Sequence, residues 1–137
     1  MSKSNYERLF DVSKDIVTIT GVSGQLGFEY VITFLERGSK VAGLDLKISK
    51  KIKDIELKYP DTFKFFNADI TKEEELIDAL KKIKIFFGNP TVLINNAAID
   101  SPPNAPASEN GPFENYPNDS WEKVMSVNVK GVYLGCK

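Results

Sequence analysis

Gly21, Gly24 and Gly27 recur at intervals of three in the run Thr20-Gly21-Val22-Ser23-Gly24-Gln25-Leu26-Gly27. Between a strand and a helix, such a run can bind phosphate. The first glycine permits a sharp turn, and the second leaves out a Cβ where a pyrophosphate must approach. The third lets helix and strand pack closely, and the open N–H groups of the helix start then face the anion. Gly21, Ser23, Gly24, Gln25, Leu26 and Gly27 are therefore candidate phosphate-contacting residues. The competing reading is a plain tight turn that packs a helix on a strand. A dinucleotide site also needs a ribose clamp, expected as an acidic residue about 20 residues further on. Asp45 meets that condition, 24 residues after Gly21. A carboxylate there accepts hydrogen bonds from both ribose hydroxyls and repels a 2′-phosphate, which favours NAD over NADP. The neighbouring Lys47 leaves NADP open.

Two further strand ends carry candidates. Asp69 could accept from an adenine amino group, with Ile70 against the ring; a simple loop aspartate before a helix is the alternative. Asn96, Ala97 and Ala98 follow a later strand, at the sheet edge where ligands bind in open α/β folds. Small side chains suit that place, because bulky ones would fill a ligand site. Of the pair Asn95-Asn96, Asn95 is expected to be the more structural.

Composition excludes other chemistry. The 137 residues are 42% hydrophobic and 27% charged, with a net charge of −1. One globular domain is expected, with no basic excess for nucleic acid. Histidine is absent and Cys136 is the single cysteine. Histidine-based zinc sites and Ser-His-Asp triads are therefore ruled out within this chain, no metal site is expected, and no intrachain disulfide can form. Cysteine usage fits a reducing, cytoplasmic setting. No run reaches the length of a membrane span, and residues 1–8 lack the apolar stretch of a secretory signal.

The elements that position these residues alternate. Strands are expected at residues 16–20, 40–45, 63–66 and 91–95. Helices are expected from the glycine turn to about Arg37, over 48–59, from Thr71 to about Phe87, and from about Ser120. The first helix carries the stripe Gly27, Tyr30, Val31, Phe34, Leu35, with Gly38 as its C-terminal glycine. Thr71 and Glu74 have capping-box spacing, and Leu76, Ile77, Leu80, Ile83 and Phe87 form the stripe behind them. Asn118 or Asp119 is expected to cap the last helix, with Trp121, Val124, Met125, Asn128 and Val132 inward. Five prolines between Asp100 and Asp119 mark a long loop. A βαβαβαβα order with right-handed crossovers gives an α/β fold, a Rossmann-like doubly wound parallel sheet of strand order 3-2-1-4.

The chain resembles the short-chain dehydrogenase/reductase family. TGVSGQLG at residues 20–27, NNAA at 95–98 and VNVKG at 127–131 carry the likeness, which covers residues from about 10 to 137. The glycine spacing is similar to the extended, sugar-nucleotide-modifying branch, whereas NNAA, VNVKG and Trp121 are similar to the classical branch, which two motifs against one favour. Ala98 stands where the family more usually has glycine, tolerable if its φ is not positive. The resemblance implies hydride transfer between a nicotinamide cofactor and an alcohol or carbonyl substrate. It also implies cofactor lining by Asn96, Ala97 and Ala98, a homodimer or homotetramer at full length, and a catalytic role for Asn128 in a proton relay. The alternative for Asn128 is a structural amide, since a buried amide without partners costs about 1–3 kcal/mol. Gly131 and Gly135 are expected to allow close packing.

Tyr133 and Lys137 have the family's Tyr-x-x-x-Lys spacing but lie one helix too early. They are read as a coincidence, with Tyr133 and Cys136 as packing residues. The resemblance therefore implies that residues 1–137 are the N-terminal portion of a longer enzyme, with the serine, tyrosine and lysine further on, and that the piece alone is inactive. Two alternatives stand beside this. One is a non-catalytic dinucleotide-binding module, if the chain ends at Lys137. The other is a sugar-nucleotide epimerase or dehydratase of the extended branch.

Overall fold

A computed structural model describes residues 9–101 and 105–137. The reading of residues 1–8 and the Pro102-Pro103 part of the proline-rich loop lie outside the described residues. Four strands form one parallel sheet: β1 (Ile16–Thr20), β2 (Lys40–Asp45), β3 (Phe63–Asn67) and β4 (Val92–Ile94). Their order is β3-β2-β1-β4, as the sequence predicts. β1 and β2 are uncharged between their ends and occupy the centre, where both faces are covered. β4 is one residue shorter than expected at each end. Thr91 stays outside the strand, where its hydroxyl donates to Asp15 and accepts the Ile16 N–H.

The pleat sends alternate side chains to two cores. Val17, Ile19, Val41 and Phe63 meet α1 (Gln25–Glu36) and α2 (Lys50–Lys58) on one face. Ala42, Leu44 and Phe66 meet α3 (Glu73–Phe86) on the other. The sheet is thus wound on both sides, a Rossmann-like α/β fold. Two glycines with positive φ end helices: Gly38 (φ 85°) after α1 and Gly88 (φ 105°) after α3.

Several helix expectations need correction. In α1 the inward residues are Gly27, Val31 and Leu35, with Phe28 and Ile32 packed beside them, while Tyr30 is exposed. In α3 the small Ala79 faces the sheet with Ile83. That rotation leaves Ile77 and Leu80 on the flank, lining a groove of about 400 Å³ between α3, β4 and the last helix. Thr18, buried on β1, also lines this groove, and its hydroxyl has no hydrogen-bond partner among the described residues.

The Thr71–Glu74 capping box does not form. Thr71 gives both its hydroxyl and its N–H to Asp69, and Glu75 rather than Glu74 reaches back, accepting from the Asp69 N–H. An aspartate two residues upstream outcompetes the cap. α3 starts at Glu73, with no side-chain cap.

The last helix starts earlier than expected and is not uniform. α4 (Asn118–Met125) follows Pro117, and neither Asn118 nor Asp119 caps it. A π-helical segment (Ser126–Gly131) then leads into α5 (Val132–Cys136). The wider π turn breaks the 3.6-residue register. Of the expected inward residues, Val124, Met125, Asn128 and Val132 are half-buried, Trp121 is half exposed, and Gly131 and Leu134 are the buried positions.

Candidate functional site

The carboxyl ends of all four strands open into one cleft of about 510 Å³. It lies where the strand order reverses, β1 leading to β2 on one side and β3 crossing back to β4 on the other, the topological switch point of a doubly wound sheet. All six candidates of the glycine turn line it, and so do Asp45, Asp69, Ile70, Asn96, Ala97 and Ala98. Leu46, Ala68, Ile99 and Val127 line it as well. Val127 opens the VNVKG run but drew no role from it, while Leu46, Ala68 and Ile99 carry no motif signal, and only their adjacency to the named residues could have suggested them.

The three glycines do different work. Gly21 has φ 71°, a conformation L side chains rarely adopt, and a Cβ there would sit 2.7 Å from the Ala97 Cα. Gly27 packs directly on the turn; a Cβ there would overlap the Gly21 carbonyl and come within 2.8 Å of the Val22 Cα. Gly24 is unlike both. A Cβ there would meet only the Gly21 oxygen, at 3.4 Å, and its backbone (φ −78°, ψ 172°) suits any residue. The fold does not require glycine at this position. It lies at the N-cap of α1, faces the cleft, and has no side-chain cap.

Asp45 ends β2 with each carboxylate oxygen already holding one backbone N–H. Ser23 donates at 2.9 Å and Leu46 at 2.7 Å. An ionised carboxylate offers about four acceptor sites, so capacity remains for hydroxyl donors. In Asp69, burial acts to raise the pKa. The two Thr71 donors and the charge of Lys72, 3.8 Å away, outweigh it and hold the carboxyl below its ordinary value. Thr71 occupies one oxygen only. Ile70 is buried and packs on Gly131, where a Cβ would come within 2.5 Å of its Cδ1.

Asn96, not Asn95, is the structural member of the pair. Its amide donates to the carbonyls of Thr20 (2.9 Å) and Gly21 (3.2 Å), tying β4 to the glycine turn. The Thr20 hydroxyl accepts the N–H groups of Asn96 and Ala97. Asn95 instead packs on the last helix, donating to the Cys136 sulfur at 3.4 Å and crowding Gly135. The close packing expected of Gly131 and Gly135 is therefore present. No non-glycine residue among those described has positive φ, so the condition set for Ala98 is met.

Asn128 lies in the π segment, beside the cleft-lining Val127. Its amide makes a reciprocal pair with Ile99, accepting the Ile99 N–H at 2.9 Å and donating to the Ile99 carbonyl at 2.8 Å. This pins the chain after β4 against the last helix. Asn128→Ala leaves both Ile99 groups unpaired and is expected to cost about 2 kcal/mol of stability, at roughly 1 kcal/mol per hydrogen bond, read by urea denaturation. Tyr133 and Lys137 do not line the cleft. Tyr133 is exposed rather than packed, and Lys137 pairs with Glu73 at 2.9 Å on the groove side. Cys136 is also exposed, contrary to a packing role. No helix among the described residues is long and apolar enough to cross a membrane.

Sheet order, cleft and glycine turn together define a Rossmann-like α/β protein with its site at the switch point. The family model described as short chain dehydrogenase matches residues 15–137. The chain belongs to that family. It is 33% identical over 125 residues to 2-(R)-hydroxypropyl-CoM dehydrogenase of Xanthobacter autotrophicus, covering 89% of this chain and 48% of that protein. It is 26% identical over 135 residues to an NAD-dependent glycerol dehydrogenase of Listeria innocua, covering 98% and 49%. The crystal structure of 3-ketoacyl-(acyl-carrier-protein) reductase from Brucella melitensis complexed with NADH superposes with a TM-score of 0.77 at 26% identity, over 89% of this chain and 47% of that one. The chain spans about half the length of the curated relatives it matches.

Proposed function

We propose that residues 1–137 form the cofactor-binding part of an oxidoreductase that moves a hydride between NAD and an alcohol or carbonyl substrate. The observation that carries this is Gly24, a glycine the fold does not need, set at an uncapped helix start that faces the cleft. A Cβ there would intrude on an anion approaching the N–H groups of α1. The site residues fit a dinucleotide. The turn from Gly21 to Gly27 would hold the pyrophosphate, and Ser23, Gln25 and Leu26 are part of its backbone wall. Asp45 would accept from the adenosine ribose. Asp69 would accept from the adenine amino group through the oxygen Thr71 leaves open, with Ile70 beside the ring. Asn96, Ala97 and Ala98 would border the nicotinamide ribose. Bound nicotinamide supplies or accepts the hydride.

Asn128 contributes to this reading by holding Ile99 and the π segment in place. The pair with Ile99 uses one N–H and one lone pair of its amide, and the second of each would serve the water of a proton relay. The cofactor is NAD rather than NADP in this proposal, because Asp45 presents negative charge where a 2′-phosphate would lie. The printed names of the Listeria relative and the Brucella structure, NAD-dependent and NADH-bound, support the same choice. The substrate is a small alcohol or carbonyl compound, and the whole protein works as a homodimer or homotetramer in the cytoplasm.

The test is Asp45→Ala, with both nucleotides titrated calorimetrically. It should weaken NAD about tenfold, one lost charge-assisted bonding group at roughly 1.4 kcal/mol, and leave NADP nearly unchanged. An unchanged NAD:NADP ratio contradicts the ribose role. The 137-residue chain itself should bind without turnover, since among its described residues no tyrosine lines the cleft. Alcohol-dependent NADH formation by this chain would overturn that part.

A further inference from the structure

The geometry points to Ser23 as a specificity-determining residue: its hydroxyl latches the loop after β2 onto the glycine turn and so closes the adenosine-ribose rim to a 2′-phosphate. This inference rests on the cofactor reading above and deepens it. Ser23 touches three positions of the loop. Its N–H donates to Asp45 at 2.9 Å, its hydroxyl donates to the Lys47 carbonyl at 2.7 Å, and the same oxygen accepts the Ser49 N–H at 3.1 Å. From the opposite side, the Asn67 amide donates to the carbonyls of Asp45 (3.2 Å) and Leu46 (2.6 Å). Ser49 in turn caps α2 by accepting the Ile52 N–H. The loop is held from both flanks.

The consequence is chemical. A phosphate monoester carries close to two negative charges and needs cations or N–H donors around it. Two backbone N–H groups, those of Ser23 and Leu46, are spent on Asp45 itself, and a third in the loop, that of Ser49, is spent on the Ser23 hydroxyl. What remains at the rim is a carboxylate, which a diol can use and a phosphate cannot. Selectivity therefore depends on the latch as well as on the charge of Asp45. Removing the Ser23 hydroxyl frees the Ser49 N–H and the Lys47 carbonyl together. The loop can then turn the exposed Lys47 and the freed N–H toward a phosphate.

The experiment is calorimetric titration of the 137-residue chain with NAD and with NADP, for the parent, Ser23→Ala, Ser23→Thr and Asn67→Ala. Thermal melts confirm that each is folded. The NAD:NADP affinity ratio should fall about tenfold in Ser23→Ala. It should stay near the parent value in Ser23→Thr, which keeps the hydroxyl. It should fall in the same direction in Asn67→Ala, which loosens the loop from β3 and decides the matter if Ser23→Ala does not fold. A parallel loss of both nucleotides, an unchanged ratio, or no rescue by threonine overturns the latch. A parent that binds neither nucleotide overturns the cofactor reading itself, and the latch with it; that outcome shows without any variant.

Discussion

Gly24→Ser is expected to separate stability from binding. The backbone at residue 24 already has the extended conformation of an N-cap, and the new side chain would meet only the Gly21 oxygen. Serine is a better N-cap than glycine by a few tenths of a kcal/mol, so the melting temperature should hold or rise slightly. The same hydroxyl would occupy a first-turn N–H and intrude on the cleft. Dinucleotide affinity should fall about 30-fold, roughly 2 kcal/mol at 1.4 kcal/mol per tenfold change. Calorimetry and a thermal melt on one preparation check both halves. A variant that binds as tightly as the parent would mean that no phosphate approaches Gly24.

Gly27→Ala should do the reverse and damage the fold. The three atoms nearest the new Cβ belong to the backbone of Gly21 and Val22, so no side-chain rotation relieves the overlap. Such overpacking costs about 3 kcal/mol, which in a domain of this size lowers the melting temperature on the order of 10 °C. A melting temperature within a degree or two of the parent would show that the turn and α1 shift apart freely, and that their close packing is not what the glycine serves. The two substitutions lie three residues apart in one motif. They are predicted to fail in different assays.

What could be read in the sequence was chemistry written into short local runs. β1 and β2 fall at their expected bounds because their interiors are uncharged and lie at the centre of a parallel sheet. The glycine turn, Asp45, the Asp69-Ile70 pair and the Asn96 to Ala98 segment were legible because each follows a strand at the same sheet edge, and strand order alone brings them to one cleft. The rest depended on partners far along the chain. Asn96 outranks Asn95 as a structural residue because Thr20 and Gly21 present carbonyls to it, some 75 residues away in sequence. In the last helix Val124, Met125, Asn128 and Val132 are half-buried as their spacing predicts and Trp121 is not, while the buried Gly131 and Leu134 lie at the end of and after a π turn that leaves no trace in the 3.6-residue pattern. The capping box failed for a nearer reason, since Asp69 takes the Thr71 hydroxyl. Ser23 was legible as part of the turn but not as a latch, because its partners at Lys47 and Ser49 lie beyond β2.

In the proposed function a dinucleotide lies along the carboxyl edge of this sheet. Backbone amide shifts recorded while NAD is titrated into the isotope-labelled chain test it most directly. Saturable shifts are expected to concentrate in residues 21–27, 45–47, 69–70 and 96–99, with little change in the groove residues Ile77, Leu80 and Leu134. Absence of saturable shifts, or shifts centred on that groove instead, would contradict it.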